Sequence, residues 1–381
     1  MKITGWETFL VSPRWLFLRV DTDAGISGWG EPIVEGRAET VRAAVDTLFE
    51  YLVGKDPRRI EQHWQVMIKS GFYRGGPILS SAVAGIDQAL WDITGRALGV
   101  PVHELLGGAV REKVRMYTWV HGQTPEGLAA DAKSKVEQGF TAVKVNLTEA
   151  AAPIPSKADL EAWALRMQVL REAIGDENDL AIDIHGRFTT AATGAILPLL
   201  EPVLPMFVEE PLLPEHGANL RRIVESTPIP IATGERLYSR RDFADAFAAG
   251  IAVAQPDLSH AGGISETRRI AAAAETHDVL LAPHCPLGPI ALAACLQVDF
   301  ASPNFLIQEQ SLDIGYADGN DMLAYLADPS VFTMDDGYIH RPTGPGLGIE
   351  VDENAVRAAA ADPHAWRPPY WTHADGSFAE W

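Results

Sequence analysis

Three acids recur at one interval. Asp183, Glu209 and Glu235 lie 26 residues apart in sequence, and each closes a short apolar run, "LAID", "MFVE" and "IPIATGE". Carboxylates that meet at one point repel one another and need raised pKa values or a cation among them. An all-oxygen donor set selects a hard divalent ion, Mg2+ rather than zinc. The sequence therefore predicts a metal site held by Asp183, Glu209 and Glu235. Glu209 is followed by Glu210, and alternation along a strand would turn the two to opposite faces. Spacing alone leaves open which of them is the ligand.

Two histidines end similar runs: His185 in "DLAIDIHG" and His284 in "VLLAPH". If the first run is a strand throughout, Asp183 and His185 project to the same side. A pair of imidazoles beside a metal site fits a proton donor and a proton acceptor working near neutral pH. Asp257 ends "AVAQPD", one run before His284. Its carboxylate could hold the His284 tautomer and raise its basicity. Glu309, in "FLIQEQ", ends one further run.

The elements that must carry these residues are eight β-rich runs, starting near residues 113, 140, 180, 206, 229, 252, 279 and 305. Most are followed by a helical segment, which is the pattern of an α/β fold of the (β/α)8 type, a TIM-like barrel whose strand ends converge on one mouth. The runs are apolar on both faces, as in a parallel sheet covered by helices. In such a barrel the third and seventh strands lie across the axis. His185 and His284 are thus expected to flank a bound ligand from opposite sides.

Residues 1–113 read as an α+β capping domain. A hairpin is predicted over 14–32 around "DTDAG". Helices are predicted over 37–52 and 56–70, with a third marked by Val83, Ile86, Leu90, Ile93 and Ala97 and stopping near Gly99. Residues 114–330 read as the barrel, and 331–381 as a segment that returns to the cap through Trp366, Tyr370, Trp371 and Trp381. The insert 147–157 reads as a lid or a surface loop. Arg14, Trp15, Phe72, Tyr73 and Arg74 fall on loops that could close over the mouth.

A net charge of −20 argues against nucleic acid or an anionic membrane as partner. Cys285 and Cys295 are too few for a disulfide framework and fit a reducing compartment. The opening "MKITGWETFLV" lacks the features of a signal peptide, and the most apolar later run, 287–298, is too short to span a bilayer. A cytoplasmic location is expected.

The constellation resembles the enolase superfamily, in its mandelate racemase subgroup. "GWGEP", the triad Asp183, Glu209 and Glu235, the Asp257–His284 pair and Glu309 carry the likeness, with the segments "FYRGGPILSSAVAGIDQALWDI", "QPDLSHAGGI" and "LAPHCPLGPIALAACLQVDF". Where many members carry Lys-x-Lys on the second barrel strand, this chain has "KVN", Lys144 and Asn146, which disfavours a two-lysine racemase or cycloisomerase. The resemblance implies Mg2+-dependent dehydration of an aldonic acid, D-galactonate foremost. It makes His284 the base at C2, His185 the acid at the C3 hydroxyl and Glu309 a partner of the developing enediolate. It also implies substrate contacts at Lys144 and Asn146 and a homo-oligomeric assembly. Another aldonic acid such as gluconate, a related racemase or epimerase, and a silent sugar-acid binding protein stay open as alternatives.

Overall fold

The computed structural model describes residues 1–312, 322–363 and 366–381. The chain opens with an antiparallel sheet of β1 (Ile3–Val11), β2 (Trp15–Thr22) and β3 (Ser27–Gly30). The hairpin expected from "DTDAG" joins β2 to β3. β1 lies ahead of the predicted hairpin, outside the strands that the pattern marks. It pairs along its length with β2, so its side chains find cross-strand partners. Three helices pack on this sheet: α1 (Ala38–Phe49), α2 (Ile60–Lys69) and α3 (Pro77–Leu98). α2 starts later than expected, because Asp56 accepts hydrogen bonds from Arg58 and closes a turn ahead of the helix. α3 has proline in its first turn and ends at Gly99 with a left-handed φ of 71°. The glycines of "GWGEP" have a packing cause. A Cβ at Gly30 would collide with the backbone of Gly85 on α3, so β3 and α3 approach more closely than any larger residue allows.

A short α4 (Val102–Leu105) leads into the barrel. Its strands are β4 (Lys113–Trp119), β5 (Ala142–Asn146), β6 (Asp179–Asp183), β7 (Phe207–Glu209), β8 (Ile231–Thr233), β9 (Val253–Ala254), β10 (Leu280–Leu281) and β11 (Gln308–Glu309). Neighbours from β4 to β10 pair in parallel, β11 pairs in parallel with β4, and a bridge from Leu281 to Phe305 closes the ring. The covering helices are α5 (Pro125–Glu137), α6 (Lys157–Ile174), α7 (Thr190–Leu200), α8 (Leu220–Val224), α9 (Arg240–Ala249), α10 (Gly263–Glu275) and α11 (Pro289–Ala301). The eight expected strands are all present, though several are only two or three residues long. No helix among the described residues is long and apolar enough to cross a membrane.

Inside the barrel a layer of Tyr117, Ala142, Ala181, Phe207, Ala232, Val253, Ala282 and Ile307 forms an apolar floor. Each of these lies on one of the eight strands or its immediate flank. Side chains two residues further on point inward again. From six of the strands that step gives Trp119, Lys144, Asp183, Glu209, His284 and Glu309. The polar layer above the floor is therefore a consequence of strand period.

The cap is fastened to the barrel mainly at the loops after β9 and β10. Gln88 Nε2 donates to the Leu258 carbonyl at 3.1 Å, Trp64 Nε1 donates to the Gly262 carbonyl at 2.9 Å, and Asp87 accepts from the Ser265 amide at 2.9 Å. Glu31, fully buried, accepts from the amides of Gly288 and Ala291 at the start of α11.

After the barrel, β12 (Met334–Asp335) and β13 (Tyr338–His340) add an antiparallel pair to the outer side of β4, and α12 (Glu353–Ala360) packs on β1. Arg357 of α12 pairs with Glu7, and Glu353 pairs with Arg19. That part packs against the first sheet. The last hairpin, β14 (Trp371–Thr372) with β15 (Phe378–Ala379), reaches the barrel mouth instead.

Candidate active site

A cavity of about 530 Å3 opens at the C-terminal ends of the barrel strands. Asp183, Glu235, His185 and His284 all line it. Asp183, Glu209 and Glu235 each offer an oxygen within 4.8 Å of the others. Asp183 and Glu209 end β6 and β7, while Glu235 follows β8 after Gly234. A side chain at Gly234, whose φ is 147°, would strike the Phe243 ring at 2.5 Å, so the turn that aims Glu235 inward requires glycine.

The structure separates Glu209 from Glu210. Glu210 has a left-handed φ of 45° and turns away to pair with Arg236, with further bonds from Thr233 and the Gly234 amide. Glu209 stays in the triad, with no exposed surface. Strand period from Phe207 turns Glu209 inward, and the backbone angle at Glu210 sends its neighbour to Arg236.

Burial pushes the Glu209 carboxyl well up, with Lys144 offsetting only part of the effect. Burial, opposed by His284 and reinforced by Glu210 and Asp183, brings Glu235 up to about 7. Asp183 is held below the usual carboxylate range: burial opposes its charge, but Lys144, His185 and Arg187 outweigh it. Two oxygens of the triad, Asp183 Oδ2 and Glu209 Oε2, are buried without a hydrogen-bond partner. Unsatisfied, mutually repelling hard oxygens are the donor set that a divalent cation fits.

Lys144 differs from its expected place. It is fully buried under the site, with its ammonium 2.5 Å from Glu209, 3.3 Å from Glu309 and 3.4 Å from Asp183. It does not line the cavity; it supplies part of the positive charge that lets the acids coexist. Glu309 is also below the cavity wall. One oxygen accepts from Trp119 Nε1 at 2.8 Å and the other from the Cys285 amide at 2.8 Å. Both oxygens act as acceptors there, which ties Glu309 to the chain beside His284. Asn146 does line the cavity, and its Oδ1 is buried without a partner.

His185 is not part of a strand. β6 stops at Asp183, and His185 stands in a left-handed turn with a φ of 59°. The expectation of one strand carrying both residues fails for that reason, yet the turn still directs the ring to the cavity. The His185 amide donates to Asp183 Oδ1 at 2.6 Å, which ties the turn to the acid triad. His185 Nε2 lies 4.0 Å from one oxygen of Glu235, and His284 Nε2 lies 3.4 Å from the other. The two rings bracket one carboxylate.

Their other nitrogens meet opposite partners. His284 Nδ1 lies 2.8 Å from Asp257 Oδ2, and His185 Nδ1 lies 3.2 Å from Arg187 Nη2. A carboxylate accepts and a guanidinium only donates. The partners therefore assign the proton to Nδ1 of His284 and to Nε2 of a neutral His185. Burial lowers His185 to about 4 against the pull of Asp183, with Arg187 and Arg236 adding to the fall. At His284 burial also opposes the charge, but Glu235, Glu309 and Asp257 outweigh it and hold the ring well above its ordinary value.

Several cavity residues were not legible as site residues: Glu35, Arg187, Arg236, His260 and Trp381. His260 Nε2 sits 3.4 Å from Glu35 and 3.6 Å from Asp257, linking the cap to the His284 partner. Of the loop residues considered, Arg14 lines the cavity, Trp15 is buried in the core, and Phe72 and Tyr73 are exposed.

Residues 127–355 match the enolase C-terminal domain-like family, and residues 9–107 match the N-terminal domain of the mandelate racemase / muconate lactonizing enzyme family. The chain belongs to the enolase superfamily. It is 51% identical to a D-galactonate dehydratase from Variovorax paradoxus (strain S110) and 52% identical to one from Xanthomonas campestris pv. campestris (strain B100), each over 100% of both chains. Among solved structures it is similar to an enolase from Agrobacterium radiobacter bound to Na and L-malate, at 33% identity and a TM-score of 0.91 over 100% of both chains. It is also similar to a mandelate racemase/muconate lactonizing enzyme from Jannaschia sp. CCS1, at 31% identity and a TM-score of 0.87 over 94% of this chain and 97% of that one.

Proposed function

We propose that this chain dehydrates D-galactonate to 2-dehydro-3-deoxy-D-galactonate. One observation carries the chemistry. Two histidines bracket Glu235 and both present Nε2 to the same space, His284 with Asp257 behind its Nδ1 and His185 with Arg187 behind its own.

Asp183, Glu209 and Glu235 would hold the cation, Mg2+ in this reading, which when bound stabilises negative charge on the substrate carboxylate and offsets the pull of Glu235 on His284. His284 Nε2 takes the C2 proton while Asp257 holds Nδ1–H and orients the ring. From the other side, His185, once it has gained a second proton to become the imidazolium, delivers its Nε2 proton to the departing C3 hydroxyl and is left neutral as water leaves, so the elimination is anti. The enol that remains ketonises to the 2-keto acid. Asn146 Oδ1, unpartnered on the cavity wall, accepts from a substrate hydroxyl. Each proton-transfer group contributes about 10²–10⁴-fold.

The full-length similarity to two D-galactonate dehydratases supports the choice of sugar. The relative that holds L-malate, itself a 2-hydroxy acid, supports the substrate class. A cytoplasmic location and a homo-oligomeric state belong to the same reading; the two free, buried thiols support the first.

The test is a panel of aldonic acids with Mg2+, read by the 2-keto product. D-Galactonate is expected to give the highest kcat/KM. A higher value for gluconate would move the substrate and keep the chemistry. C2 exchange of the panel without any keto acid would replace dehydration by racemisation or epimerisation.

A further inference from the structure

The base and the acid are held by different parts of the chain. His284 is bound to Asp257, sits on a strand-like bridge to it, and follows the loops that the cap fastens. The barrel holds the backbone at His185 and Gly186, through Asp183 Oδ1 and the Glu210 carbonyl, but at the ring's Nδ1 a guanidinium stands where His284 has a carboxylate. It stands in a left-handed turn past the end of β6, and its side chain is 25% exposed against 12% for His284.

What touches it is the C-terminal hairpin. The Trp381 indole meets the His185 ring edge-on, with centroids 5.7 Å apart and planes at 81°. Trp371, on β14, lies under the Arg187 guanidinium at 5.0 Å, and Arg187 is the group that fixes the His185 tautomer. Trp381 also packs on Trp366 at 5.7 Å, and Trp366 lies under Arg14 of the cap at 5.0 Å. Aromatic pairs and cation–π contacts of this geometry are each of real but modest strength, and here they converge on one loop.

We propose that Trp381 and Trp371 are positioning residues for the proton donor. Trp381 sets the tilt of the His185 ring toward the cavity and keeps water from its face; Trp371 holds Arg187 at Nδ1. The inference rests on the acid–base assignment above and adds to it that the acid is braced by the C-terminal tryptophans, some 190 positions away in sequence, whereas the base is held through Asp257 and the loops that the cap fastens.

The assignment gives the test a readout that a general packing defect would not move. In D2O, loss of acid positioning slows departure of the C3 hydroxyl, so the intermediate returns and recovered substrate carries deuterium at C2. Trp381→Ala with Mg2+ and D-galactonate is expected to lower dehydration by about 10-fold or more, and to raise the ratio of C2 exchange to dehydration. Trp371→Leu should act in the same direction, and Trp381→Phe should recover most of the wild-type ratio. Unchanged dehydration in Trp381→Ala, or loss of exchange and dehydration in equal proportion, would overturn the inference. If wild-type protein yields no 2-keto acid, it is the proposed function that fails.

Discussion

Asp257 Oδ2 stands 2.8 Å from His284 Nδ1, on the side of the ring that faces away from Glu235. That single bond decides which nitrogen reaches the ligand space. It also makes the His284–Glu235 contact a contact through Nε2, the atom that must lose a proton before it can accept one from carbon. His185 has the reverse arrangement through Arg187. The asymmetry comes from the partners, since the two rings themselves are chemically the same.

The acid triad should bind a divalent cation and be stabilised by it. Adding Mg2+ to stripped protein is expected to raise the unfolding midpoint, by the equivalent of about 2.7 kcal/mol at 100 times the dissociation constant. Chelation should reverse the shift and abolish turnover. Glu235→Gln should weaken the shift. A thermal melt with and without EDTA measures it, and a midpoint indifferent to Mg2+ would remove the triad from metal binding.

Lys144 should be a structural cation. Its ammonium lies among Glu209, Glu309 and Asp183 with no exposure. Lys144→Met leaves these acids uncompensated, and breaking a buried pair this way costs about 3–5 kcal/mol. Denaturant unfolding of the metal-free protein checks it. A variant of unchanged stability that had only a raised KM would instead make Lys144 a substrate contact.

His260 gives a pH signature. Burial works against its charge, but Asp257 and Glu35 outweigh it and raise the ring to about 9, with the charge of His284 opposing. Ser81 faces its other nitrogen at 3.2 Å. Because the folded value exceeds the unfolded one near 6.5, the stabilisation is complete below pH 6.5 and is lost as pH rises through 9. The stability gap between wild type and His260→Gln should therefore be largest near pH 6 and shrink by roughly 3 kcal/mol by pH 10. Denaturant titrations at both ends of that range measure the gap, and a constant difference would contradict the assignment.

The sequence revealed what strand period controls. Asp183, Glu209, His284 and Glu309 all lie two residues beyond an apolar floor residue, so their convergence follows from pattern. It could not tell which of these inward groups line the cavity, because Lys144, Glu209 and Glu309 have the same spacing as Asp183 and His284 yet are fully buried and off its wall. Turn geometry was also hidden. Left-handed backbone at His185 and Glu210 redirects both side chains, and neither residue type announces it. The contacts of Glu35 with His260, and of Trp381 with His185, join residues more than 190 positions apart. No local pattern encodes them. The tryptophans of the tail signalled packing, but their target at the barrel mouth emerges only from the fold.

The division of labour between the two rings is most directly tested by C2 exchange in D2O, measured beside dehydration in His185→Asn and His284→Asn with Mg2+ and D-galactonate. The account predicts that His185→Asn loses dehydration by about 10²–10⁴-fold yet still exchanges the C2 proton, while His284→Asn does neither. Exchange that survives in His284→Asn, or disappears in His185→Asn, would contradict it.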